Sequence, residues 1–101
     1  AGEQVCWAIR QPLASEEDMR QSLAAAVDPE NMPDFAVMFS CLGRGPLFYG
    51  GEDRDLLVWR EQFPGVPLIG AYGSGQIAPA GNGNRLFQNA VVTLLVESPH
   101  V

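Results

Sequence analysis

A chain of 101 residues suits one domain, and 47% hydrophobic with 18% charged residues is a composition typical of a globular protein. Six arginines against twelve acidic residues give a net charge of −6, which argues against nucleic-acid binding through a basic stripe and against docking on an anionic membrane surface. Neither an apolar run of roughly 20 residues, as a spanning helix requires, nor a signal-peptide pattern is visible, so we expect a cytoplasmic location.

The N-terminal segment predicts a strand followed by a helix. Residues 5–9 (VCWAI) are rich in β-forming side chains and stop before Pro12, which is typical of a strand. Ser15, followed by three acidic residues, resembles a capping box, so a helix should begin there and end before Asp28. One narrow apolar stripe at four-residue spacing should lie on a sheet: Met19, Leu23 and Val27.

The most apolar short run, residues 35–39 (FAVMF), predicts a strand that is buried on both faces. It leads into a glycine-rich stretch, residues 40–51, in which glycines flank Arg44 and favour a tight turn that presents a guanidinium. The alternative is an ordinary turn with a solvated charge. Cys6 and Cys41 are interpreted as buried free thiols, although a disulfide stays possible if their two strands are neighbours.

The second half of the chain predicts a helix and three further extended segments. Asp53 can cap a helix that runs to about Phe63. The helix should face the sheet through Leu56, Trp59 and Phe63, and its polar residues should stay in solvent: Arg54, Asp55 and Glu61. Extended segments follow at 66–72, at 76–79 and, as the longest strand, at 85–97. The glycine- and asparagine-rich link at 80–84 is typical of an antiparallel hairpin.

The order strand, helix, strand, helix, strand, strand predicts an α/β (α+β) fold. We expect a mixed sheet of four to five strands with two packed helices, because helical crossovers join parallel strands and short glycine-rich links join antiparallel ones. Residues 1–101 should form a single domain. The lack of an initiator Met suggests that this domain belongs to a larger protein.

Two loops form the candidate binding site. The loop around Arg44 and the loop 73–75 each follow an apolar strand, and if those strands are parallel both loops lie at the same carboxyl edge. Arg44 could clamp a carboxylate or another anion bidentately there, and Tyr72 and Ser74 would offer hydroxyls. No metal site is expected, because the only histidine, His100, lies in the terminal tail.

The residues also allow two other functions. Cys41 could serve as a nucleophile only with a base supplied from elsewhere, so we do not expect an enzyme. A loop containing Leu47, Phe48 and Tyr49 could form a protein-interaction surface, but such aromatics equally often pack on the core of their own domain.

In its second half the chain resembles the C-terminal half of the FIST sensory domain, in residues 39–45 (FSCLGRG), residues 67–77 (PLIGAYGSGQI) and the closing strand. The resemblance implies a non-catalytic sensory domain of signal-transduction proteins that binds a small ligand, such as amino acids or related carboxylates. Its implied partners are an N-terminal half of the same module and a downstream kinase, cyclase or ubiquitin-ligase component. The expected ligand-binding residues are Cys41, Gly43, Arg44, Gly45, Tyr72, Gly73, Ser74, Gly75 and Gln76.

Two positions depart from the pattern of that family. Gln76 stands where a glutamate is expected, and Ala90 stands where the closing strand usually has a threonine. A neutral amide at position 76 would leave Arg44 freer to accept an anionic ligand. Some relatives are described as haem-linked nitric-oxide sensors, but with His100 as the sole histidine we expect no haem cofactor here.

Overall fold

The computed structural model describes residues 2–6 and 9–98, which fold into two helices, a mixed sheet and a small hairpin. Helix α1 spans Pro12–Ala26, strand β1 spans Phe35–Cys41, and a 3-10 turn follows at Leu42–Arg44. Helix α2 spans Arg54–Gln62. Strands β2 to β5 span Leu68–Gly73, Gln76–Ala80, Gly83–Phe87 and Val91–Val96. The predicted α+β class, with two helices and a mixed sheet, is confirmed.

Strand β1 lies at the centre of a three-stranded sheet with the order β2-β1-β5. Strand β2 runs parallel to β1, with Ala36 opposite Leu68 and Cys41 opposite Gly73, whereas β5 runs antiparallel to β1. Helix α2 forms the crossover between the parallel pair, as helical connections do. Strands β3 and β4 pair antiparallel as a separate hairpin, so the predicted hairpin at 80–84 is confirmed.

The predicted N-terminal strand at residues 5–9 is wrong for the residues that the structure describes. Val5, Cys6 and Ile9 have no strand conformation and are exposed, and Trp7 and Ala8 lie outside the described residues. Both edges of β1 are already occupied by β2 and β5, so β-forming side chains near the N-terminus have no place beside it. Cys6 is an exposed free thiol rather than a buried one, and Cys41 is buried and also free.

Two element boundaries differ from the predictions. Helix α1 begins at Pro12 rather than at Ser15, because the fixed φ of proline suits the first helical turn. The predicted strand 85–97 is two strands, β4 and β5, separated at Asn89, whose φ of 55° lies in the left-handed region that Asn tolerates better than most residues. The end of α1 before Asp28 and the Asp53 cap of α2 are confirmed.

The two helices cover one face of the sheet, and the hydrophobic core lies between the helices and that face. The buried cluster contains four of the six predicted helix residues, together with Val58 and alternate residues of β1, and its members are Met19, Leu23, Ala36, Met38, Val58, Trp59 and Phe63. The predicted Val27 and Leu56 are only partly buried against it. The rings of Trp59 and Phe63 stack with centroids 4.4 Å apart. Ion pairs on the surface join the two helices, with Glu16 of α1 2.6 Å from Arg54 of α2.

The other face of the sheet is not covered by the residues that the structure describes. Strand alternation and register place nine side chains on this open sheet face, and all are apolar: Phe35, Val37, Phe39, Cys41, Ile69, Ala71, Val92, Leu94 and Val96. Of these nine, Cys41 at the end of β1 is buried. Ile69 is 68% exposed and Leu94 57%. The prediction that β1 is buried on both faces is therefore wrong for this chain by itself, because Phe35 and Phe39 remain exposed. No helix in the described ranges is long and apolar enough to cross a membrane.

Candidate functional site

Arg44, the residue predicted to clamp an anionic ligand, forms an ion pair inside the protein. Its Nε and Nη2 atoms donate to the two carboxylate oxygens of Asp55 at 3.0 and 2.8 Å, a bidentate arrangement. Nη2 also donates to the Ser15 carbonyl oxygen at 3.1 Å and to the Tyr49 hydroxyl oxygen at 3.0 Å, and the Tyr49 hydroxyl donates to Asp55 at 2.8 Å. We call these four residues the Arg44–Asp55 cluster.

The Asp55 side chain at the centre of this cluster is only 1% exposed, so the prediction that Asp55 stays in solvent is wrong. Asp55 lies in the first turn of α2, which places it beside the 3-10 turn that carries Arg44. The hydrogen bonds to Asp55 raise the pKa of Arg44 against the opposing effect of burial. Burial, and then the hydrogen bond to Asp55, raise the pKa of Tyr49 far above its usual value. The guanidinium charge is thus neutralised internally by a carboxylate that the sequence did not indicate.

The two predicted loops do meet at the carboxyl edge of β1 and β2. Cys41 is paired with Gly73 in the sheet, and a Cβ atom at Gly45 would lie 3.5 Å from the Tyr72 ring. Gly43 contacts Arg10 instead, and its carbonyl oxygen accepts a hydrogen bond of 2.6 Å from the Arg10 guanidinium. The parallel register of β1 and β2 brings four of the predicted site residues together: Cys41, Gly45, Tyr72 and Gly73.

The remaining predicted loop residues have contrasting surroundings. Ser74 is exposed and Gly75 is half-buried, with Leu86 of the hairpin beside it. Gln76 is 4% exposed, and neither its amide nitrogen nor its amide oxygen has a hydrogen-bond partner in the protein. Buried amides usually have such partners, so the Gln76 amide is a group that a ligand could satisfy.

A cavity of about 240 Å³ lies between the N-terminal part of α2 and the helix-facing side of β1 and β2. Most of its wall is apolar and comes from Met38, Leu56, Leu68, Gly70 and Ala71. Its polar lining is contributed by Ser40, Asp53 and Tyr72. We call this space the helix–sheet cavity. Among the predicted site residues only Tyr72 lines it.

Ser40 is the most unusual group in this cavity. The residue is 6% exposed, and its Oγ atom is buried without any hydrogen-bond partner in the protein. Strand alternation places Ser40 on the same face as Ala36 and Met38, beneath α2 and opposite Tyr72 of β2. Leaving a buried hydroxyl unpaired costs about 1–3 kcal/mol, so such a group is expected to have a partner.

Asp53 and Tyr72 are joined by a hydrogen bond in the wall of the cavity. One carboxylate oxygen of Asp53 accepts from the Leu56 amide at 3.1 Å as the N-cap of α2, and the other accepts from the Tyr72 hydroxyl. This bond, with some burial, raises the pKa of Tyr72 to about 12, because the carboxylate stabilises the neutral phenol. The pair therefore links the start of α2 directly to the end of β2.

Sequence reasoning missed Ser40 and Asp53 as cavity residues. Ser40 was predicted at the start of the glycine-rich stretch 40–51 and Asp53 as a helix cap, and neither was placed in the site. The alternation that predicts Met38 in the core also puts Ser40 on its side, which is the signal that could have found it. No set of three His, Cys, Asp or Glu side chains within the described ranges could hold a metal ion, and His100 lies beyond those ranges.

Comparison with known proteins identifies the family. The model of the FIST C domain matches residues 1–79. An uncharacterized protein of Mycobacterium tuberculosis is 30% identical over 86 residues, which cover 84% of this chain and 22% of that protein. An uncharacterized protein of Mycobacterium bovis is 32% identical over 80 residues, covering 77% of this chain and 20% of its own length.

A human relative is also similar over part of the chain. F-box only protein 22 of Homo sapiens is 41% identical over 64 residues, which cover 60% of this chain and 15% of that protein. The chain thus spans about a fifth or less of the length of the curated relatives it matches. The match over residues 1–79 confirms the resemblance inferred from the two glycine loops, and the chain belongs to the FIST C domain family.

Proposed function

We propose that this domain is the small-ligand sensor of a longer signal-transduction protein and that the ligand binds in the helix–sheet cavity. The observation that carries the proposal is the unpartnered Ser40 hydroxyl, which is buried in the wall of a mostly apolar cavity beside Asp53 and Tyr72. A ligand that hydrogen-bonds to Ser40 provides a partner for a buried hydroxyl that has none in the protein. Apolar walls with a few convergent polar groups are the usual composition of a ligand pocket.

The dimensions of the cavity favour a small ligand. Its volume of about 240 Å³ is below the roughly 300–1,000 Å³ of pockets that hold drug-sized molecules. A metabolite with an apolar body of a few carbon atoms and one polar head suits this space. The proposal does not require catalysis, and the non-enzymatic assignment stays part of it.

The connection between the cavity and α2 supplies a route for the signal. Asp53 caps α2 and also holds the Tyr72 hydroxyl of β2, so a ligand that competes for either group changes the attachment of α2 to the sheet. The Arg44–Asp55 cluster lies in the first turn of the same helix. If ligand binding favours one of two positions of α2 on the sheet, it would transmit a coupling free energy of ~1–3 kcal/mol, which is typical of allosteric proteins.

Calorimetry and thermal-shift measurements with a library of amino acids, amines, alcohols and short carboxylates test this proposal. A Ser40→Val variant replaces the hydroxyl with a methyl group and adds a second methyl group, and it should weaken binding of the best ligand about tenfold or more, ~1.4 kcal/mol. A Ser74→Ala variant is the matched control, because Ser74 is an exposed loop serine that does not line the cavity. Loss of binding in Ser74→Ala but not in Ser40→Val would move the ligand to the loop crevice predicted from the sequence.

The open sheet face favours one binding partner for this domain, which is an N-terminal half of the same sensory module. Parallel strands are normally covered on both faces, and here eight apolar side chains remain uncovered. The mycobacterial relatives are about five times longer than the matched segment, so a family member has ample chain to supply the covering layer. We expect a layer with an apolar face from the same polypeptide rather than a charged partner.

An Ile69→Glu substitution tests this partner. Ile69 is exposed on edge strand β2, so the charge should change the stability of this domain by no more than about 0.5 kcal/mol. It should strongly weaken association with the N-terminal half of the full-length protein, measured by co-purification of the two halves. Arg60→Glu on the opposite side is the control. If Ile69→Glu associates with the N-terminal half as strongly as Arg60→Glu does, the N-terminal half does not cover this face. If the domain instead associates with a second copy of itself, and Ile69→Glu abolishes that association, the partner is a second copy.

A protein-interaction function is the second candidate, and the observation that favours it is the exposure of Leu47. Leu47 is 97% exposed, whereas its neighbour Phe48 contacts the Arg10 guanidinium, 4.7 Å from the ring centroid. The similarity to a protein named F-box only protein 22 suits a role next to ubiquitin-ligase components. A Leu47→Ser variant that loses a downstream signalling partner in a pull-down while keeping ligand binding would favour this function.

The cytoplasmic location stays part of the proposal. Two free thiols, one of them exposed at Cys6, suit a reducing compartment. Fractionation of cells that express the full-length protein measures it directly.

A further inference from the structure

We infer that the helix–sheet cavity selects ligands with a primary amine head over ligands with a carboxylate head. The inference rests on the proposed function of this cavity and concerns the charge of its ligand. It reverses the preference for carboxylates that Arg44 indicated in the sequence.

The charge of the cavity wall is the first argument. Asp53 lines the cavity, and none of the described residues that line it is cationic. The guanidinium that could have balanced a carboxylate ligand, that of Arg44, makes a bidentate pair with Asp55 and does not line the cavity. A carboxylate ligand would therefore bring like charge next to Asp53, in a chain whose net charge is −6.

The hydrogen-bonding capacity of the wall is the second argument. The Asp53 carboxylate accepts one bond from the Leu56 amide and one from the Tyr72 hydroxyl. A carboxylate has about four acceptor positions, so further donors can still be accommodated. Ser40 adds a hydroxyl oxygen that accepts no bond within the protein. An ammonium group has three donors and no acceptor, and it matches a wall that offers acceptors.

The apolar part of the wall defines the remainder of the ligand. Met38, Leu56 and Leu68 provide a surface for a short branched hydrocarbon, and the volume of about 240 Å³ limits its length. Three probes with one carbon skeleton separate the contribution of the head from that of the body. They are 3-methylbutan-1-amine, 3-methylbutan-1-ol and 3-methylbutanoate.

Titration calorimetry of the full chain with these three probes at pH 7 is the experiment. We expect the amine to bind at least about tenfold more tightly than the alcohol and the carboxylate to bind most weakly. An Asp53→Asn variant should reduce amine affinity to about that of the alcohol, while Asn preserves the N-cap of α2. Glu52→Gln is the matched control, since it removes one charge beside Asp53 from a side chain that is 72% exposed and does not line the cavity. It should change amine affinity by less than about twofold.

The outcomes separate this inference from the proposed function. Carboxylate binding as tight as amine binding, or an Asp53→Asn variant with unchanged amine affinity, overturns the inference while the cavity remains a ligand site. Failure of the three probes and of every library compound overturns the proposed function and this inference with it. If Asp53→Asn does not fold, Asp53→Ser supplies another N-cap residue without charge, and the same loss of amine preference is expected.

Discussion

An Arg44→Ala substitution isolates the energetic contribution of the Arg44–Asp55 cluster. It deletes the bidentate partner of Asp55, whose side chain is 1% exposed and would keep only the Tyr49 hydroxyl as a hydrogen-bond donor. Removing one partner of a buried ion pair typically costs ~3–5 kcal/mol, because the other charge is left uncompensated. A domain of this size has a total stability of roughly 5–15 kcal/mol, so the variant should lose a large fraction of its unfolding free energy.

Urea denaturation followed by the fluorescence of the buried Trp59 measures this cost. Arg54→Ala is the control, because the Arg54 side chain is 38% exposed against 13% for Arg44, so the loss of its ion pair should cost less stability. A double variant, Arg44→Met with Asp55→Leu, should recover most of the lost stability, because apolar residues of similar volume can replace a buried pair.

Two results would refute the reasoning. Equal destabilisation by Arg44→Ala and Arg54→Ala would mean that the cluster behaves as a surface pair. An Arg44→Lys variant that keeps its stability but loses its ligand response would place Arg44 at the ligand, as the sequence predicted. If Arg44 acts only through Asp55, the folded Arg44→Lys variant should bind the ligand normally.

Three further predictions concern titration and reactivity. Hydrogen bonds from Arg54, and then from Arg20, lower the pKa of Glu16 below 4.5. The ionised Glu16 carboxylate therefore stabilises the fold above pH 4.5, and this stabilisation is lost as the pH falls below that value. Between pH 5 and pH 3 the Glu16→Gln variant should lose less unfolding free energy than the wild type, as measured by urea titration. Tyr72 should ionise near pH 12, and Asp53→Asn should move that ultraviolet absorbance transition toward 10; an unchanged midpoint would contradict the hydrogen bond. Cys41 is only 6% exposed, so its thiol should react with iodoacetamide more than tenfold more slowly than the exposed thiol of Cys6. Faster labelling of Cys41 than of Cys6 would contradict this prediction and would support Cys41 as a nucleophile.

Local sequence patterns were sufficient for α2 and for the parallel pair of β1 and β2. Asp53 was recognised as a cap because an N-cap depends on one side chain and the amides that follow it, which are contacts within one turn. The division at Asn89 was missed because polar residues such as Gln88 and Asn89 also occur within half-exposed strands, and only the backbone shows the positive φ that ends the strand. The strand predicted at residues 5–9 is wrong for its described residues, because pairing depends on whether an edge of β1 is available, and the chain order alone does not determine this.

The sequence by itself determined the family, the α+β class and the meeting of the two glycine loops at one edge of the sheet. These follow from motifs, from periodicity and from the direction of a helical crossover, all of which are properties of short segments. The tertiary structure decided the partner of Arg44, because the buried position of Asp55 depends on how α2 packs against the turn at Leu42–Arg44. It also decided that Ser40 and Asp53, 13 positions apart in the sequence, line one cavity, since that proximity arises only when α2 lies across the sheet.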